Sequence, residues 1–218
     1  MSLELTRLLQ LASPALPVGA YTYSQGLEWA VESGAVKDEA TARKWIGDQL
    51  DCNLARFEAP MLARMIEAAK IDDREALRVL DEQYLASRET SELRAETLQM
   101  AHSLKRLVGE LNADIVLPPA VTYPAVWSSL AAAWGTGARD ALTAWLWSWA
   151  ENQTMAAIKT VPLGQAAGQR ILLALGERIP VVVERALGLD DDDFSNFAPG
   201  FAIACARHET QYSRLFRS

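Results

Sequence analysis

The chain has 218 residues, 50% of them hydrophobic, and a formal net charge of −7. A chain of this size buries roughly 70 to 75% of its unfolded surface in one core, so it needs no disulfide framework, and its two cysteines, Cys52 and Cys205, are too few to build one. The acidic balance excludes bulk nucleic-acid binding, which depends on Lys and Arg placed against phosphates.

From the N-terminus, Glu4 precedes the first basic residue and no basic segment leads into a long apolar run, which argues against a secretory signal. The longest candidate span, residues 141–150, stops well short of the ~20 apolar residues a membrane requires. These readings predict a cytoplasmic protein without a membrane span. Helical periodicity dominates, and alternating runs of β-branched and aromatic residues are nearly absent. The expected fold is all-α, a single-domain bundle of about seven to ten helices of ordinary length, with residues 1–206 as body and 207–218 as a polar C-terminal tail.

In chain order, Ser24 reads as the cap of a helix through Glu28 that ends at Gly34. The next helix starts at Asp38, carries Ala42, Trp45, Ile46 and Leu50 at core spacing, and runs towards Phe57 until Pro60 imposes a break or a new first turn. A third helix covers residues 60–70, and Asp72 with Glu75 resembles a capping box. From there to Leu111 the chain reads as helix throughout, with Arg88, Glu89, Glu92, Arg94 and Glu96 as a solvated charged face or a docking face. Residues 112–124, with three prolines, form the one long connection. Pro124 then opens a helix that Gly135 and Gly137 end. Residues 139–159 make a helix that is apolar nearly all round, with Trp145 and Trp149 on one face and Trp147 on another, so it belongs at the centre of the fold or in an interface. After the Pro-Gly turn at 161–165, small residues Ala166, Ala167 and Gly168 permit close helix approach.

Chemistry-bearing patterns are sparse. Neither phosphate-cradling glycine motif occurs, and no G-x-S-x-G elbow is present. His208-Glu209 begins a zinc-protease-like pattern, but Tyr212 stands where the second His is required. Cys52, His102, Cys205 and His208 would have to gather from remote segments to hold a metal. Cys205 and His208 read instead as a buried thiol beside a solvated imidazole. The residues therefore point to a protein that binds other proteins and not to an enzyme; a nickel-carrying metallochaperone and a small helical enzyme using Glu28 or Glu209 are the alternatives.

Four segments have compositions odd for core or loop: residues 11–34 (LASPALPVGAYTYSQGLEWAVESG), 87–97 (SRETSELRAET), 155–165 (MAAIKTVPLGQ) and 206–218 (ARHETQYSRLFRS). In this order, and across nearly the whole chain, they resemble the UreF family of urease accessory proteins. The resemblance implies an all-helical homodimer with no stably bound cofactor, nickel being handled by the complex. It implies an adaptor that bridges UreD (also called UreH) and the nickel-carrying GTPase UreG on apo-urease and regulates GTPase-coupled nickel insertion. For UreD the candidate residues are Arg207, His208, Glu209, Tyr212, Arg214, Leu215 and Phe216; made helical, the tail would align His208, Tyr212 and Leu215 on one face. For UreG the candidates are Lys159, Pro162 and Gln165, with Tyr21, Tyr23, Ser24 and Glu28 as a second set.

Overall fold

The computed structural model describes residues 3–111 and 115–218, and among these every regular element is helical. The elements are α1 (Leu3–Ala12), α2 (Leu27–Glu32), α3 (Glu39–Gln49), α4 (Ala59–Lys70), α5 (Arg74–Ala86), α6 (Ser91–Glu110), α7 (Tyr123–Ala133), α8 (Ala138–Thr160), α9 (Gln165–Gly188) and α10 (Pro199–His208). Helix α4 sits at the centre, packed on α5, α7, α8 and α9, while α6 covers α7 and α3 lies on α9. The core runs continuously through these helices, from Leu11 and Leu27 through Ile46, Met65 and Trp127 to Leu146 and Ile171.

Side-chain caps set the starts of α3, α5 and α6. Asp38 caps α3 by accepting the Thr41 N–H, and Thr41 returns a bond to the Asp38 backbone, a reciprocal box. At α5 the cap is Asp73, which accepts from Ala76 N–H, and not Asp72 as the spacing suggested; Asp72 instead turns the chain with a positive φ of 53° and pairs with Arg74. Ser24 accepts the Glu28 N–H in the first turn of α2 at 3.4 Å but does not occupy the N-cap position. Gly26 holds that position in the left-handed region (φ 76°), and an added Cβ would meet Ala204 Cβ at 3.0 Å, so this glycine also lets α10 come close.

Pro60 takes a place in the first turn of α4, as one of the two sequence readings had it, and does not interrupt the rod. Between α3 and α4, residues Leu50–Glu58 wind at the wider π spacing, and Ala59 N–H bonds to Leu54 O. Proline has no N–H to give the Arg56 carbonyl four residues back; Ser195 N–H supplies that bond at 3.0 Å. The rod continues because a remote loop satisfies the carbonyl that proline cannot.

The expected single helix from Asp72 to Leu111 is two. Helix α5 ends at Ala86 and α6 begins after Thr90, whose hydroxyl caps Leu93 N–H. Arg88 lies in the break and turns inward, where it pairs with Glu58 at 2.8 Å and stacks over Tyr84 at 4.2 Å. The charged series is therefore only partly a solvated face: Glu89 and Arg94 are exposed, whereas Glu96 and the Arg88 side chain are buried. In the connection before α7, residues 112–114 lie outside the described residues. Its later part is held by Asp81 of α5, which accepts from Val121 N–H, Thr122 N–H and the Thr122 hydroxyl. Helix α9 begins at Gln165, directly after the Pro-Gly turn, and runs on to Gly188 with Pro180 in its interior.

Candidate functional site

The last ten residues after α10 contain no helix and run back across the body as a strap. One wall of their seat is α6. Glu92, Glu96 and Gln99 project from one face of that helix at three- and four-residue spacing, and each grips the strap: Glu92 accepts from Arg214, Glu96 from the Ser218 hydroxyl at 3.0 Å, and Gln99 from Arg217 at 3.2 Å. The opposite wall is α2 and the turn before it. The Glu28 carboxylate accepts Leu215 N–H at 2.5 Å and Phe216 N–H at 3.0 Å. The Ser24 hydroxyl and the Ser24 and Gln25 N–H groups all donate to the Ser218 carbonyl.

His208 joins the two walls. It ends α10, is completely buried, and places Nδ1 2.7 Å from Glu92 and Nε2 3.2 Å from Glu28. Ionised carboxylates only accept, so each ring nitrogen faces an acceptor. Neither nitrogen is left facing open space as a ligand would need. The solvated imidazole expected from sequence is thus an interior bridge, because Glu28, 180 positions away, folds onto it. Cys205 is buried as expected, and burial pushes its thiol up well above the ordinary range. Glu209 reaches the start of α6, accepting from the Ser91 hydroxyl at 2.5 Å and from Glu92 N–H at 3.1 Å, and the Ser91 bond holds its carboxyl below the ordinary range. That places a negative charge at a helix N-terminus, where it is stabilising.

Gln25 is the keystone beneath the strap. Its backbone adopts a positive φ of 52°, a conformation that costs a non-glycine residue about 1 kcal/mol or more. Its amide carbonyl accepts from Trp149 Nε1 at 2.8 Å, and its amide nitrogen donates to Glu96 at 2.8 Å. Below lies a cavity of about 70 Å³ bordered by Glu58, Arg88, Glu96, Trp149 and Gln153. Glu96 is fully buried and has only neutral donors in contact, so desolvation pushes its pKa up to about 7, against the bonds from Gln25 and Ser218.

The candidate residues divide by exposure. Of the first set, Tyr212 is fully exposed, and Arg207, Arg214 and Leu215 also face outward; His208 and Phe216 are buried and Glu209 is half-buried. Tyr212 and Leu215 therefore do not share a face with His208 in this conformation. Phe216 enters the core, so the segment polar in composition is anchored by its aromatic residue. Of the UreG candidates, Lys159, Pro162, Gln165 and Tyr21 are exposed, whereas Tyr23, Ser24 and Glu28 are buried and spent on the seat. Lys159 lies 5.9 Å from the Tyr21 ring and 5.7 Å from the Phe216 ring, bringing the end of α8 to the same junction. Sequence reasoning left out Gln25, Glu92, Glu96 and Gln99 as seat residues. The four-residue spacing of Glu92 and Glu96 was the available signal. Among the described residues no group of three or more His, Cys, Asp and Glu is arranged to hold a metal ion, and no helix is long and apolar enough to cross a membrane.

Comparison with known proteins places these features in a family. The UreF family profile matches residues 36–176. A urease accessory protein UreF from Azoarcus sp. (strain BH72) is 60% identical over 226 residues, covering 99% of this chain and 96% of the relative. Proteins of the same name from Dechloromonas aromatica (strain RCB) and Methylobacillus flagellatus are 56% and 50% identical, each over at least 98% of both chains.

Proposed function

The chain belongs to the UreF family of urease accessory proteins, and we propose that within urease maturation it is a non-catalytic adaptor that joins UreD to the GTPase UreG on apo-urease. The observation that carries this reading is the convergence of the four family-like segments, remote in sequence, on one junction. Its inner side is spent on holding the strap, and its outer side presents Tyr212 and Leu215 to solvent. Exposed aromatic and aliphatic side chains on a firmly held backbone are the usual anchors of a protein interface.

In this reading UreD docks over the strap and the neighbouring Arg207. UreG docks at the end of α8, on Lys159, Pro162, Gln165 and Tyr21, and contact there regulates its GTPase cycle and nickel release. The chain works as a cytoplasmic homodimer, and the ion stays with the complex. Removing residues 207–218 would be a poor test, because it also deletes a core residue, Phe216, and the partners of Glu28 and Glu92. The double variant Tyr212→Ala, Leu215→Ala leaves the seat intact. We expect it to keep the parent melting temperature and to bind UreD at least about tenfold more weakly in titration calorimetry. Unchanged affinity would move the UreD surface off the strap.

A further inference from the structure

We propose that Glu96 is a positioning residue for the strap and acts through its proton, so that residues 214–218 are held tightly when Glu96 is protonated and loosen when it ionises. The proposal concerns the isolated chain and stands whether or not the strap is a UreD surface.

The geometry makes the strap's end part of Glu96's enclosure. Ser218 closes one carboxylate oxygen at 3.0 Å and Gln25 the other at 2.8 Å, and both Gln25 and Ser24 simultaneously hold the Ser218 carbonyl. Withdrawing residue 218 therefore removes a donor from Glu96 and uncovers it to water in the same movement. A buried carboxylate with neutral donors alone favours its protonated form, and a hydrated one its ionised form. The charged groups around it do not reverse this preference. Arg88 is committed to Glu58, whose own charge opposes a second anion, while Tyr84, Tyr23 and Cys205 on the surrounding elements are neutral at ordinary pH, with their ionisation pushed up by burial. Arg217 faces Gln99, and Arg214 faces Glu92. The cavity of about 70 Å³ against Glu96 has room for water molecules beside the carboxyl.

The sign follows from linkage. The seated state holds Glu96's proton up to about pH 7, and the ordinary carboxyl value of 4.5 is the lower limit for the released, hydrated state, so seating is strongest at low pH and weakens as pH rises through 7. Between pH 6 and pH 8 those two values weaken seating by up to about tenfold. Hydrogen exchange of the full chain, read by mass spectrometry on the C-terminal peptide and corrected for intrinsic exchange rates, measures this directly. The Leu215 and Phe216 amides, bonded to Glu28, are the reporters.

We expect their protection to fall by up to about tenfold from pH 6 to pH 8 in the parent chain. In Glu96→Gln, which carries the protonated shape at all pH values, we expect a flat profile lying above the parent's pH 6 level. A flat profile in the parent would overturn the proposal without recourse to any variant. So would a Glu96→Gln profile as steep as the parent's, which would assign the slope to His208 and its carboxylates. Far-UV circular dichroism establishes that the variant is folded.

Discussion

At the residue scale, burial decides what a charge is worth. Arg78 and Arg88 both contact glutamate oxygens at 2.8 Å or less, but the Arg78 side chain is 52% exposed and that of Arg88 only 6%. Water and salt screen the first pair, so Arg78→Ala should leave the urea midpoint unchanged. The second pair is desolvated, and taking away one partner strands the other. We expect Arg88→Ala to lower unfolding free energy by about 3–5 kcal/mol, since Glu58 would be left buried with only neutral partners, Asn53 and Tyr84. Equal midpoints for the two variants in urea titrations would contradict this assignment. The same distinction explains why the charged series at 88–96 was misread in part. Periodicity reports which residues share a face, but not that the helix stops at Ala86 and lets Arg88 swing inward.

At the element scale, the α8–α9 pair shows how close approach is achieved. Gly168 lies where an added Cβ would stand 2.4 Å from Ile158 Cδ1, so the helices meet at a position with no side chain. Gly168→Val should force Ile158 aside and destabilise the fold by about 1–3 kcal/mol. Gly164→Ala, one turn earlier and with nothing near its added methyl, should melt close to the parent chain. Similar thermal shifts for both would place the tight contact elsewhere. The small-residue run was legible in the sequence because it is local, as was the Asp38 cap of α3. Neither the π turns at Leu50–Glu58 nor the uninterrupted passage through Pro60 was legible, because the bond that permits them comes from Ser195 in a distant loop. Helices α1 and α10 also escaped notice, each being short and flanked by segments that read as loop or tail.

At the scale of the whole molecule, the junction joins residues near both ends of the chain: Glu28 to Phe216 and Ser24 to Ser218. The segments composing it stood out in the sequence, and their common resemblance identified the family. Their meeting did not, because composition marks a segment without giving its neighbours. Tyr212 and Leu215 are exposed beside a pinned backbone, with Lys159 a few ångströms from Phe216, and the adaptor proposal assigns these two sides of the junction to two partners. The most direct test mixes purified UreD, UreG and this chain and measures the mass of the products by size-exclusion chromatography with light scattering. The adaptor account predicts a single species containing all three proteins, and no UreD–UreG species when this chain is left out. A UreD–UreG complex of the same stability formed without it would contradict the account.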